Sequence, residues 1–175
     1  MISRVSLACA AALLALSGAA MAHGGPHPTD AEIAHIAYTA GQIDIAAGKQ
    51  ALAKSRDKAV RAFAEAMVRD HAAVNDQALA LVKKLGVRPA ENATSTALST
   101  QAEAKMRSLA ALEGAAFDKA YLDNEVAYHR TVNGALKDTL IPAAHNRELK
   151  ALLETGLTLF REHQLHAEQI AKEQR

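Results

Sequence analysis

Residues 58–86 read KAVRAFAEAMVRDHAAVNDQALALVKKLG. Val60, Phe63, Met67, His71, Val74, Ala78, Leu81 and Leu85 recur every three or four residues, the spacing of a single helix face. Gly86 is a natural residue for the left-handed position past a helix end, and Pro89 reinforces the stop. The stretch therefore predicts a helix from about Lys58 to Leu85. Its buried face is apolar except at His71, near the midpoint. An imidazole in that position is costly unless it finds a partner inside.

Working outward, the same pattern recurs. Upstream, Thr29 or Asp30 can cap a first helix running to about Lys54, with Glu32 in its opening turn. Its inward stripe is Ile33, Ala37, Ala40, Asp44, Ala47 and Ala51. Ser55-Arg56-Asp57 offers N-caps but no Gly or Pro, so one continuous helix from Asp30 to Leu85 competes with a break there. The charges Lys54, Arg56, Asp57, Lys58 and Arg61 read as a solvated face. Downstream, Glu91 to Ser95 reads as a loop, followed by a short connector helix from about Thr96 to Leu112 and punctuation at Gly114.

A further long helix is expected from about Ala115 to Leu140, with Phe117, Tyr121, Leu122, Glu125, His129, Val132 and Leu136 in phase, and Pro142 interrupting it. The last helix runs from about Ala143 to Lys172, with Leu149, Leu152, Gly156, Leu159, His163, His166 and Ile170 in phase. No segment alternates at period two. The expected architecture is all-α: four long helices and one short connector, packed as a bundle.

Composition agrees. Aromatic residues make up 3% of the 175-residue chain and Trp is absent, while Ala is abundant, which favours closely packed helices. Net charge is +1 from 20 basic and 19 acidic residues, with no basic stripe, so a nucleic-acid partner is not expected. The first 22 residues read as a secretory signal: Arg4, an apolar run from Val5 to Leu16, and the cleavage signal Ala20-Met21-Ala22. The expected division is a leader over 1–22, a tether over 23–29 and a helical domain over 30–173. The single cysteine, Cys9, falls inside the leader, so the mature chain has neither disulfides nor thiolate metal ligands. No second apolar run is long enough to cross a bilayer. Export is expected, to the periplasm, with association with the outer membrane as the alternative.

The polar residues on the inward faces are the candidates for chemistry. Asp44, His71 and His129 lie near helix midpoints, and His163 lies a few residues beyond its own, an offset of roughly 7 Å. In an antiparallel bundle they can share a layer. Glu125 and His129, four apart, address one patch, as do His163 and His166, three apart. Imidazole and carboxylate without thiolate suit Fe, Zn, Mn or Cu. The metal candidates are thus Asp44, His71, Glu125, His129, His163 and His166. The alternative for the same residues is a closed hydrogen-bond network.

The chain resembles the bacterial domain of unknown function 4142 family over roughly Asp30 to Ile170. The likeness rests on Asp44 with Gly48-Lys49 and Ala51, Val60 to Phe63-Ala64, Met67-Val68, Asp70-His71, Phe117-Asp118 with Tyr121-Leu122, His129, and His163 with Ala167. It implies a secreted, ferritin-like four-helix bundle and carries the family's frequent outer-membrane label, but no established activity. The chain departs from the ferritin carboxylate pattern. Val68 and Phe160 stand three residues before His71 and His163, where Glu-x-x-His would place Glu, and Asp44 stands where Glu is frequent. A single-metal site or a metal-free relic fits this set better than a complete di-iron centre.

Three functional readings follow: a metal-binding or metal-buffering bundle with weak redox activity toward iron or peroxide; a metal-free envelope or stress-related protein acting through a partner or self-association; and, ranked last, an enzyme using Glu125 and His129 in acid–base catalysis. His23 and His27 form a separate, weaker copper-chelating candidate at the mature N-terminus. His35 and His145 read as surface residues. No nucleophile elbow, phosphate loop, dinucleotide fingerprint or HExxH is present.

Overall fold

Capping chemistry sets the helix boundaries. The computed structural model describes residues 27–174, so the leader, its cleavage site and His23 lie outside the described residues. Helix α1 spans Asp30–Lys54, α2 Lys58–Leu85, α3 Ala93–Ala110 and α4 Gly114–Ala135. A π-helical turn, Leu136–Leu140, joins α4 to the short α5, Ile141–Ala143, and α6 spans Arg147–Glu173. The described residues contain no strand.

Thr29 and Glu32 form a reciprocal capping box on α1. Asp30 is thereby left to bond elsewhere. Its carboxylate accepts from the N–H groups of His145 and Asn146 at 2.8 and 2.9 Å, pinning the start of α6 to the start of α1. The break at 55–57 is real, because Asp57 caps the N–H groups of Ala59 and Val60 at 2.9 and 3.0 Å. The nearby charges are more than a solvated face. Arg61 donates to the carbonyls of Leu52 and Ser55 at 2.6 and 3.1 Å, closing the end of α1. Lys54 donates to the carbonyl of Ala110 at 3.0 Å, tying α1 to the end of α3.

Three predicted boundaries are corrected. Helix α3 starts at Ala93 rather than Thr96, because Asn92 accepts from the N–H groups of Thr94 and Ser95. Pro142 does not end the α4 segment. The turn before it widens, Ile141 N–H bonding to Leu136 C=O, and the wider turn relieves the clash a proline ring makes with the carbonyl four residues back. Helix α6 starts at Arg147 rather than Ala143, capped by Asn146 on the N–H groups of Glu148 and Leu149.

The phase of α6 also differs from expectation. Leu153, Leu157, Phe160 and Ala167 are buried with His163 and Ile170, while Leu152 and Leu159 are half-buried and His166 is exposed.

The contacts at the helix ends settle the topology. The start of α6 sits at the start of α1, and Lys84 at the end of α2 pairs with Glu148 at 2.6 Å. Helix α3 returns the chain along α1, from Asn92 against the carbonyl of Glu32 to Gln50 against the carbonyl of Met106. Each neighbouring pair among α1, α2, α6 and α4 is therefore antiparallel, and α3 is the crossover that makes this so. One apolar cluster, including Phe63, Met67, Phe117, Tyr121 and Ile170, fills one half of the bundle. A second, including Ile33, Ile36, Leu136, Leu153 and Phe160, fills the other.

Gly48 lets α1 approach α2. A Cβ there would meet the Val68 side chain at 2.9 Å and the Ala64 carbonyl at 3.1 Å. Gly48→Ala is expected to lower the unfolding free energy by about 1–2 kcal/mol in urea denaturation, despite a gain of roughly 1 kcal/mol in helix propensity. An increase in stability would mean that the two helices separate freely at this point.

Candidate functional site

Asp44 from α1, His71 from α2, Glu125 and His129 from α4 and His163 from α6 meet in the layer between the two apolar clusters, each between 1% and 5% exposed. The three imidazoles form a near-equilateral triangle. Their ring centres are 5.6 Å apart for His71–His129, 5.3 Å for His71–His163 and 5.7 Å for His129–His163. One ring nitrogen of each lies within 4.8 Å of those of the other two, and Asp44, Glu125 and His129 form a second such group.

Fixed partners assign the tautomers. His129 Nδ1 lies 3.0 Å from the Glu125 backbone carbonyl, which only accepts, so Nδ1 carries the hydrogen and Nε2 the lone pair. His163 Nε2 lies 3.1 Å from Asp70 Oδ2. Burial pushes the Asp70 carboxyl up, but hydrogen bonds and charge from Arg69 and His163 outweigh it and hold the group ionised, so His163 Nε2 donates and Nδ1 keeps the lone pair. His129 Nε2, His163 Nδ1 and both nitrogens of His71 are buried without a protein partner. Native interiors leave few polar atoms in that condition.

The electrostatics keep these rings neutral. Burial, reinforced by the neighbouring imidazoles, lowers His71 to about 2. Burial and His163 lower His129 to about 4 against the carbonyl bond that favours its charged form. Burial also lowers His163, which Asp70 only partly opposes. The carboxyls move the other way. Burial first, then the charge and hydrogen bond of Glu125, raises Asp44 well above the usual carboxylate range. Burial raises Glu125 to about 7, tempered by hydrogen bonds from Asp44 and Asn124. Asp44 thus holds a proton against Glu125, and His71 Nε2 lies 3.5 Å from Asp44 Oδ2.

Five of the six sequence-selected residues are brought together. His166 is not: it is exposed, its ring edge against Phe63 at 5.4 Å between centres. His145 is exposed as expected, whereas His35 is half-buried.

The structure adds residues that the sequence reading did not count among the site candidates. Asp70 orients His163. Phe160 stacks on His71 at 4.5 Å and 12°. Tyr128 donates to the Ala40 carbonyl at 3.2 Å. Asn133 donates to the Phe160 carbonyl at 3.3 Å. Asn75 and Asn133 each lie four residues after a buried histidine, so extending the i+4 series would have found both.

A family profile described as "Domain of unknown function (DUF4142)" matches residues 15–170. The chain belongs to this family. The match begins earlier than the resemblance read from Asp30 onward. Among curated proteins nothing matches. Among solved structures, a protein described as secreted and as DUF305, from Streptomyces coelicolor, superposes with a TM-score of 0.71 at 14% identity. The likeness covers 83% of this chain and 93% of that one, and at that identity it bears on the fold alone. The neighbour shares the helical bundle, and neither its description nor the family's names a reaction.

Proposed function

We propose that the protein is an exported bundle that binds one divalent transition-metal ion in its interior, held by His71, His129 and His163 with the Asp44–Glu125 carboxyl pair beside them. The observation that carries this reading is the convergence of three neutral imidazoles with unpartnered nitrogens. A hydrogen-bond network closed among the protein's own groups would use those nitrogens.

The dimensions support it. Imidazoles sharing an ion at ~2.0–2.1 Å hold their ring centres roughly 5–5.5 Å apart, and the observed separations are 5.3–5.7 Å. Nitrogen donors with adjacent carboxylates suit Fe, Zn, Mn or Cu and not the oxygen-seeking Ca or Mg. The ion would place fixed positive charge beside Asp44 and Glu125, favouring release of their protons. The protein's own part is to keep the imidazoles neutral, fix their tautomers through Asp70 and the Glu125 carbonyl, and seal the layer with Phe160.

Export rests on the leader over 1–22, followed by a tether over 23–29 and the bundle over 30–173, with the periplasm as the compartment. Among the described residues no helix is long and apolar enough to cross a membrane.

Elemental mass spectrometry on protein purified without an affinity tag or chelator is expected to find about one Fe, Zn, Mn or Cu ion per chain. Absence of metal even after reconstitution would overturn the proposal. Asp70→Asn is expected to weaken affinity by about 10–100-fold without changing stoichiometry, because it loosens the orientation of His163. Unchanged affinity in a competition titration would show that Asp70 does not act on the ion.

A further inference from the structure

Beside the imidazole layer lies a cavity of about 590 Å³, walled by α1, α2, the start of α3, α4, the π-helical turn and α6. It lies in the half of the bundle that holds the starts of α1 and α6. Along α1 its wall extends from Thr29 to Ala40, and along α6 from Leu149 to Phe160. Eleven residues of helix correspond to a length of about 16 Å, so the space is elongated along the bundle axis.

Its lining is aliphatic, as at Ala37, Val74, Leu98, Leu136 and Leu153, and its titratable side chains are only His27 and Glu32 at one rim. Several of the polar groups that reach the wall are already engaged. Asn75 donates to the Tyr38 carbonyl and Asn92 to the carbonyls of Glu32 and Ala90. Thr131 donates to the Ala127 carbonyl and Glu32 accepts from Thr29. Water in such a space finds few partners, and an empty apolar space of this size forfeits the packing that side chains otherwise make. The volume falls within the range of small-molecule pockets, about 300–1,000 Å³.

We propose that this cavity binds the aliphatic chain of an amphiphile such as a long-chain fatty acid or a lysolipid. The polar end would emerge where exposed Thr94, Thr131 and Thr139 bound the cavity. The length suits one extended chain better than a compact ring system, and the uncharged interior excludes an ionic group at depth. The π-helical turn places Leu136 and Leu140 on the wall, a position where such widened turns recur at binding sites. Phe160 separates the chain from His71. The proposal does not depend on the metal.

The test uses the chain from His23 onward, titrated with the uncharged fluorophore N-phenyl-1-naphthylamine and then with dodecanoate or lauroyl-lysophosphatidylcholine as competitors. One saturable probe site per chain is expected, emptied by dodecanoate. Displacement by the lysolipid as well would identify lipid chains as ligands, and its failure would restrict the site to free acids. Ala78→Phe, which projects a ring into the cavity, is expected to weaken the probe at least tenfold while metal content and melting temperature stay at the native level. Ala37→Leu serves the same purpose if the larger substitution prevents folding. No saturable binding, equal binding in a folded cavity-filling variant, or a dimer that takes up no probe would overturn the proposal.

Discussion

His129→Ala is expected to reduce bound metal from the proposed one ion per chain to none, because the two groups among the described residues that could hold an ion share that residue. His71 and His163 belong to one group, Asp44 and Glu125 to the other, so their single replacements each leave one group intact. The expected loss of affinity is on the order of 10³-fold or more, beyond the 10–100-fold typical of changes one bond removed from a metal. His166→Ala is the control. It alters a histidine three residues from His163, yet exposed, and the ion should remain. The measurement is metal stoichiometry after dialysis, with circular dichroism confirming that both variants stay helical. Retention of a full equivalent by His129→Ala would place the ion elsewhere or dismiss it.

The second large effect is on the pH dependence of the metal-free protein. Glu125 in the folded state is raised to about 7, above its ordinary 4.5. Between those values the folded chain holds a proton that the unfolded chain lacks. Its contribution to stability is therefore full below about 4.5 and lost as pH rises through about 7. The histidines have the opposite sign. His71 is lowered to about 2 and His129 to about 4. Below about 6.5 the unfolded imidazoles take up protons that the folded ones refuse, so acidification costs stability. In the native sequence the carboxyl pair offsets the imidazoles.

Glu125→Gln removes part of that offset. Across pH 7 to 4.5 its stability should fall more steeply than that of the native chain, by about 1.4 kcal/mol per pH unit at most. Urea denaturation at stepped pH in the presence of chelator reads this directly. Parallel profiles for the two proteins would mean that Glu125 is ionised in the folded state throughout.

The candidate site was legible in the sequence only where it coincided with helix phase. Asp44, His71, Glu125, His129 and His163 were visible because a helical period makes a polar residue on a buried stripe conspicuous. Asp70 was not, because it sits one residue off the stripe of α2 and reads as a solvated neighbour until α6 is packed against it. His166 was drawn in by its spacing from His163. The stripe of α6 drifts along its length, so that Leu153, Leu157, Phe160 and Ala167 face inward and His166 does not. Phe160 read as the residue that breaks a ferritin-type ligand pattern. Packed against α2, it is the ring that covers His71.

By itself the sequence determined the helical class, the long amphipathic segments with their short connector, and the stop at Gly86. These depend on local period and capping, which each segment carries within itself. Only the tertiary structure decided that the inward polar groups form one cluster, which nitrogen of His129 and His163 keeps its lone pair, and that a long apolar space lies beside them. Those outcomes depend on how helices distant in sequence are placed against one another, and burial and hydrogen-bond partners are properties of that placement.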